Sequence, residues 1–159
     1  MRFKPVPPCR GVDFLADVQR ALPLVPAGAN DCCTRVSRRT DVPDEGAARE
    51  WLTFCRALGL AERTEEGFVR TDREPTPENL REPFLERVFG AREVLNALAD
   101  SPKPESAVFE ALESRVSGWE RGRHADWERT WNDRAANLLE WAVAFGLARK
   151  EGETYAPAT

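Results

Sequence analysis

The chain has 159 residues, of which 42% are hydrophobic, and it contains five tryptophans. This composition excludes a disordered chain, because the apolar surface is sufficient for one core or two small ones. The 23 basic and 27 acidic residues give a net charge of -4, which is less positive than is typical of nucleic-acid-binding proteins. No apolar run approaches the ~20 residues of a membrane-spanning helix. The N-terminus also lacks the apolar stretch of a signal peptide, so we expect a soluble, cytoplasmic protein.

The first 40 residues carry the pattern of an arm and two helices. Residues 1–10 contain three prolines and predict an irregular arm or a short edge strand around Phe3. Asp13 is predicted to cap a helix that continues to Leu22, and Asp31 is predicted to cap a second helix. Each cap is followed by apolar residues at helical spacing, so both helices are expected to pack one face on a core.

A third helix and a hairpin follow. Pro43 suits the start of a helix that is predicted to run from Asp44 to Leu58 and to end at Gly59. Two extended runs, 60–63 and 68–71, flank the residues TEEG, a pattern typical of a β-hairpin. Three helices followed by a hairpin is the order of a winged helix-turn-helix. The predicted core residues of the third helix are Trp51, Leu52, Cys55 and Leu58.

A second domain is predicted after this module. The stretch 72–77 is polar and contains two prolines, which places the domain boundary there. The predicted domains are therefore residues 1–72 and residues 73–159.

The helices of the second domain have clear start and stop signals. Thr76 is followed by proline and glutamate, which together predict a helix start. Pro83 falls inside that helix and predicts a kink or a break near Arg81. The last helix is predicted over residues 126–145 and ends at Gly146.

An internal repeat supports two modules of the same kind. A shift of 87 residues aligns helix, helix stop and hairpin of the two halves. The fold class is therefore predicted to be mainly α with small β-hairpins (α+β), arranged as two winged helix-turn-helix modules in tandem. The seven aligned pairs are Leu52 with Leu139, Phe54 with Trp141, Ala57 with Ala144, Gly59 with Gly146, Leu60 with Leu147, Ala61 with Ala148 and Phe68 with Tyr155.

Three segments of the chain carry a family resemblance. The sequences RRTDVP, LTFCRALGLAERTEEGFVRT and LLEWAVAFGLARKEGETY resemble tandem winged-helix proteins of halophilic archaea. The resemblance covers nearly the whole chain. It implies the fold and a cytoplasmic location, and it implies no particular activity or binding residue.

Six arginines of the first module are the candidate DNA contacts. Residues 1–71 hold 11 basic and 10 acidic residues, whereas residues 72–159 hold 12 basic and 17 acidic ones, so phosphate binding is expected in the first half. In winged helices the third helix enters the major groove and the hairpin touches the adjacent backbone. Arg35, Arg38 and Arg39 could clamp phosphates. Arg49 and Arg56 could read base edges, and Arg70 lies on the hairpin.

Acidic residues oppose this interpretation. Asp44, Glu45 and Glu50 lie along the third helix, and Glu65 and Glu66 lie at the hairpin tip, where they would repel phosphate. The arginines could instead be solvated or paired with these acids. Two hypotheses follow: a DNA-binding transcriptional regulator, and a winged-helix scaffold or dimerisation module that binds protein without touching DNA.

The second module is expected to bind a protein partner or a second copy of the chain. Its last helix and hairpin carry more acidic than basic residues. Trp119, Trp127 and Trp131 are candidate anchors of such an interface. The alternative is that they fill the core of a small domain.

Neither an enzyme nor a cofactor site is indicated. His124, the only histidine, lies in a polar segment with no nucleophile arranged beside it. The sequence contains no Gly-rich phosphate loop. Glu78, Glu82 and Glu86 form an acidic stripe at helical spacing, which is typical of a solvated face.

The cysteines are interpreted as reduced thiols. Cys9, Cys32, Cys33 and Cys55 lack C-x-x-C spacing, so no metal site is expected. Neighbours on a helix point about 100° apart, so Cys32 and Cys33 are not expected to face one core.

Overall fold

The computed structural model of the protein describes residue 3 and residues 6–99, 101–113 and 127–158, without the side chains of residues 127 and 128. The chain forms two compact units, Met1–Phe89 and Gly90–Thr159. The described part of the first unit contains α1 (Val12–Ala21), α2 (Ala29–Arg39), α3 (Glu45–Ala57), β1 (Ala61–Thr64), β2 (Gly67–Arg70) and α4 (Pro77–Arg87). That of the second contains α5 (Ala91–Leu98), β3 (Lys103–Pro104), α6 (Glu105–Glu113), α7 (Trp127–Ala144), β4 (Ala148–Glu151) and β5 (Thr154–Pro157).

The first unit packs three helices against a hairpin. Helix α2 contacts α1, α3 and β2. Strands β1 and β2 pair antiparallel across a two-residue turn at Glu65 and Glu66. Ala27 pairs with Phe68 through two backbone hydrogen bonds of 3.0 and 2.7 Å, so the segment before α2 extends the sheet. This arrangement confirms the predicted winged helix and the α+β class.

Helix α3 begins and ends at the predicted signals. The Asp44 carboxylate accepts the N–H of Ala47 at 2.8 Å, so Asp44 is the cap and the helix itself begins at Glu45. Gly59 has a φ of 81°, a left-handed conformation that suits glycine after a helix. The predicted core is confirmed, because the exposed fractions are small for Trp51 (3%), Leu52 (3%), Cys55 (0%) and Leu58 (0%).

Two predicted caps are wrong. Gly11 and Gly28 occupy the cap positions of α1 and α2. Asp13 and Asp31 lie in the first helical turns instead. There they face the positive end of the helix dipole, which favours an acidic side chain without a capping hydrogen bond.

The expectation that Cys32 and Cys33 do not share a core is also wrong. Both side chains have an exposed fraction of 0%. The reason is the central place of α2, which packs on α1, α3 and β2, so more than one face of this helix is buried. The pKa of each thiol is raised, mainly by burial.

Helix α4 is continuous through Pro83, so the break expected near Arg81 does not occur. Proline has no N–H, and the carbonyl four residues earlier therefore lacks its helical donor. That carbonyl belongs to Asn79 and accepts a hydrogen bond from Nη1 of Arg73 at 3.1 Å. A side chain from outside the helix thus satisfies the group that the proline leaves free.

The N-terminal arm is tied to the end of α4. The N–H of Phe3 donates to the carbonyl of Arg87 at 2.7 Å, and the N–H of Phe89 donates to the carbonyl of Phe3 at 2.8 Å. Helix α4 also contacts α3. The first compact unit therefore ends at Phe89, whereas the sequence interpretation divides the chain after Asp72.

The second unit repeats the first at two offsets. Strands β4 and β5 lie 87 residues after β1 and β2, and α6 begins 76 residues after α2. Equivalent backbone bonds recur: the N–H of Leu60 donates to Cys55 at 2.8 Å, and that of Leu147 donates to Ala142 at 2.8 Å. Strand β3 pairs with β5 through Lys103 and Tyr155, as Ala27 pairs with Phe68. The copies therefore share one fold, and the offset between them increases by 11 residues, from 76 at α6 to 87 at the hairpin.

Tryptophans fill the core of the second unit. Trp131 is 2% exposed and Trp141 is 0% exposed, so Trp131 is not an interface anchor. Trp119, His124 and the side chain of Trp127 lie outside the described residues. In the part of the chain that is described, no helix combines the length and apolar character needed to cross a membrane.

Candidate functional site

Three of the candidate arginines lie at the end of α2. Arg38 and Arg39 are exposed in its last turn, and neither side chain has an ion pair or hydrogen bond with the residues that the structure describes. Arg35 is half-buried, and its Nε donates to the carbonyl of Ala21 at 2.9 Å. Arg35 therefore satisfies a free carbonyl at the end of α1, whereas Arg38 and Arg39 remain available to a ligand.

Arg49 lies at the opposite end of α2. Its Nη2 donates to Oδ1 of Asn30 at 3.2 Å, and Asn30 belongs to the first turn of α2. Arg38 is eight residues further along the same helix, which corresponds to about 12 Å at 1.5 Å per residue. The residue that anchors Arg49 thus lies about one major-groove width (~12 Å) from Arg38 along the axis of α2.

Two acids beside these arginines already have internal partners. Asp41 forms an ion pair with Arg10 at 3.2 Å and also accepts from it at its backbone carbonyl at 2.8 Å. Asp44 is occupied as the cap of α3. The remaining acids of α3, Glu45 and Glu50, are exposed. Asp41 is therefore paired with a cation, whereas Asp44, Glu45 and Glu50 keep their charges and would still repel phosphate.

The other two candidates line a separate groove. Arg56 and Arg70 lie on the wall of a cavity of about 1110 Å³ at the base of the hairpin. We call this cavity the arginine groove. Five arginines and three acidic residues line it, and none of the five arginines has an ion pair with a residue in the described part of the chain. The lining charges are Arg56, Arg63, Arg70, Arg73 and Arg87, and Glu62, Asp72 and Glu74.

Arg56 is held between aromatic rings. Its guanidinium carbon lies 5.4 Å from the ring centre of Phe3 and 5.2 Å from that of Phe68, distances at which a cation is attracted to a ring face. The pKa of Arg56 is lowered by burial and then by the charges of Arg63 and Arg87. Like charges are therefore gathered around a partly desolvated guanidinium.

Arg70 supplies a donor without an acceptor. Its Nη1 contacts the carbonyl of Arg20 at a long 3.4 Å. Its Nε is buried and has no partner among the described residues. A buried donor left unsatisfied costs about 1–3 kcal/mol, so a rotamer of Arg70 that turns Nε towards an acceptor in the groove would be favoured.

Arg73 is fixed by several contacts. Its Nη1 donates to the carbonyl of Asn79, and its guanidinium passes over Gly59, where a Cβ would lie 2.8 Å from Nε. Its carbonyl accepts from Nε2 of buried Gln19 at 2.9 Å. Gly59 therefore both ends α3 and leaves the space that Arg73 occupies.

The second unit lacks the arginines that line the arginine groove. At the positions of Arg56 and Arg70 it carries Val143 and Pro157. Lys150 lies at the position of Arg63, and its Nζ pairs with Glu140 at 3.5 Å. The arginines are therefore not needed to form this fold.

Glu140 also receives a hydrogen bond from Tyr155. The phenol donates to Oε1 at 2.5 Å, and the pKa of Tyr155 is raised by burial and then by this bond. Tyr155 lies at the position of Phe68, whose ring contacts Arg56 in the first unit. Lys150 and Tyr155 of this second hairpin are thus both bound to Glu140 of α7, whereas the arginines of the equivalent first hairpin have no ion pair with the described residues.

Sequence reasoning missed Arg63, Arg73 and Arg87. One signal could have found Arg73: Pro83 implies a free carbonyl at Asn79, and a nearby arginine is a suitable donor. Arg87 has no comparable signal, because the contact of its guanidinium with the ring of Phe3 at 5.6 Å joins residues far apart in the chain.

Comparison with known proteins gives one match. The family model described as the halobacterial double winged helix domain matches residues 1–159. No curated protein and no solved structure matches the chain. Winged helices are typically DNA-binding modules rather than enzymes.

Proposed function

The chain belongs to the halobacterial double winged helix family, and on that premise we propose that its first unit binds double-stranded DNA as a transcriptional regulator. DNA binding would place the protein in the cytoplasm, where an archaeal chromosome lies. The proposal concerns the winged helix within residues 1–72 of this unit.

The observation that carries the proposal is the difference between the two copies. The four candidate arginines whose counterparts lie in the described part of the second copy all correspond to uncharged residues there, although the strands and the end of the helix before them coincide at one offset. Arg35 and Arg70 also donate to backbone carbonyls of the first unit, and Arg56 and Arg70 line the arginine groove. Arg49 is therefore the member of the four that points to DNA, because among the described residues its guanidinium donates only to the neutral side chain of Asn30. The four pairs are Arg35 with Ala111, Arg49 with Ala136, Arg56 with Val143 and Arg70 with Pro157.

The arginines of α2 and α3 have different proposed roles. Arg38 and Arg39 would contact phosphates, because both are exposed and unpaired at the end of α2. The remaining donors of Arg35 would support them. Arg49 would read a base edge from α3, exchanging the neutral acceptor of Asn30 for the acceptors of guanine, the commonest partner of arginine in the major groove.

A selection experiment tests the proposal. Genomic DNA fragments would be mixed with the full chain, and the fragments retained by the protein would be sequenced. The affinity of the protein for labelled duplexes of the retained sequences would then be measured by fluorescence anisotropy. We expect one sequence class to be enriched, and Arg49→Ala should lower discrimination at one base position by ~1–3 kcal/mol. Arg92→Ala removes an exposed arginine of the second unit and is the matched control. Retention of no fragment would contradict the proposal.

A second candidate function, protein binding, is favoured by the second unit. There Lys150 and Tyr155 of the hairpin are bound to Glu140 of α7, and acids outnumber bases over residues 72–159. We propose that this unit binds a protein partner or a second copy of the chain. Light scattering of the full chain would test the second case, since a monomer at all concentrations would exclude self-association.

A further inference from the structure

We propose that the arginine groove binds the phosphate groups of a small molecule, at a site separate from the proposed DNA contacts. The inference does not depend on DNA binding. It rests on the residues at the base of the first hairpin, on the positions of their guanidinium groups and on the acids that surround them.

The first argument is the number of free cations. The groove gathers five arginines and three acids, and no ion pair joins them within the described part of the chain. Arg56 is partly buried near Arg63 and Arg87, and those two charges oppose its own. Unpaired like charges at close range are unfavourable without a counter-anion. An anion in the groove would relieve this repulsion, and phosphate matches the fork of donors on arginine.

The second argument is preorganisation. Arg73 is held by the carbonyl of Asn79 and by the space over Gly59. Arg56 is held between the rings of Phe3 and Phe68. Side chains that are ordered before binding lose less entropy when a ligand arrives.

The third argument is the unsatisfied donor. The Nε of Arg70 is buried with no described acceptor, although Arg70 lines the groove. Phosphate oxygens are strong acceptors, and a rotation of the Arg70 side chain towards the groove would bring this donor to one of them.

The surroundings favour a small molecule over the backbone of a duplex. Glu65 and Glu66 form the hairpin tip, and the acidic stripe of α4 lines an adjoining depression of about 430 Å³ that shares Arg73 and Arg87. A long polyanion crossing the groove would meet these acids, whereas a compact one would not. The groove volume of about 1110 Å³ is close to the ~300–1,000 Å³ of small-molecule sites.

Calorimetric titration of the full chain with inorganic pyrophosphate and with ATP tests the proposal. We expect saturable binding of one ligand per chain. The variant Arg63→Gln/Arg87→Gln should weaken it about 100-fold, at about tenfold for each charge-assisted hydrogen bond that the substitutions remove. Both side chains are exposed, so this variant should fold. Arg38→Gln/Arg39→Gln removes the same charge outside the groove and should leave pyrophosphate binding unchanged.

The outcomes separate this site from DNA binding. The proposal is overturned if neither probe binds saturably, or if the groove variant binds both as well as the wild type does. It is also overturned if the groove variant still binds pyrophosphate and ATP but no longer binds DNA, because the groove would then belong to the DNA surface. A chain that binds pyrophosphate but no DNA would contradict the proposed function and leave this site supported.

Discussion

Gln19 holds together the two ends of the first hairpin, and replacing it with leucine tests this role. The side chain is 7% exposed. Its Nε2 lies 2.9 Å from the carbonyl oxygen of Arg73, 3.3 Å from that of Thr71 and 3.5 Å from that of Leu60. The Leu60 carbonyl also accepts from the N–H of Thr71 at 3.0 Å. The Gln19→Leu variant therefore removes the donor that serves two further carbonyls.

The expected loss is about 2 kcal/mol of unfolding free energy for the first unit. Each intramolecular hydrogen bond contributes about 1 kcal/mol net, and a buried acceptor left without a donor costs about as much or more. Leucine should fit in the space available, because the second copy carries Leu95 at the matching position of α5. The cost should therefore come from the missing hydrogen bonds and not from a clash.

Hydrogen exchange followed by mass spectrometry would measure this effect in the first unit alone. The amides of β1 and β2 should exchange faster in Gln19→Leu. The opening free energy calculated from their protection factors should fall by the same ~2 kcal/mol. Asn96→Leu makes the same amide-to-leucine change on the exposed side of α5 and should stay within ~0.5 kcal/mol. Equal protection of the hairpin in Gln19→Leu and wild type would refute the role given to Gln19.

Three further predictions concern buried side chains. Trp51→Ala should cost ~3–5 kcal/mol in a denaturant titration, and an unchanged midpoint would contradict its place in the core. Tyr155 is the only tyrosine, so its absorbance titration should show a pKa above the ordinary value near 10, and Glu140→Gln should lower it. Because folding raises the pKa of Tyr155, the contribution of its phenol to folding stability is complete below pH ~10 and is lost as the pH rises through the raised pKa. Thiol labelling of the native chain should modify Cys9 first, because it is the one cysteine of the four that is not buried; rapid labelling of Cys55, whose pKa is raised to about 12 by burial, would contradict the described core.

The fold could be predicted because its signals are local. Asp44, Gly59 and Thr76 carry their capping information within four residues of where they act. The 87-residue repeat then predicted the second winged helix, because its helix end and hairpin align with those of the first. The prediction that Cys32 and Cys33 would not share a core failed because periodicity describes a helix with one buried face, and it does not reveal that α2 is covered on several sides.

The arginine groove could not be predicted because its parts are distant in sequence. Arg56 comes from α3, Arg70 from β2 and Arg87 from α4, and only their packing brings them to one cavity. Sequence reasoning selected Arg56 and Arg70 for their charge and assigned them to DNA. Their surroundings in the fold, two aromatic rings for Arg56 and an unpaired Nε for Arg70, favour the separate ligand proposed above.

The salt dependence of DNA binding tests the central proposal most directly. The slope of log K against log salt would be measured on one selected duplex for the wild type and for Arg38→Ala/Arg39→Ala. If each arginine contacts one phosphate, the variant should lose ~1.8 from the magnitude of the slope, at ~0.9 for each phosphate, and its affinity should fall on all sequences alike. Equal slopes for the two proteins would contradict the assignment of these arginines to phosphate, and a wild type that binds no duplex at any salt concentration would contradict DNA binding itself.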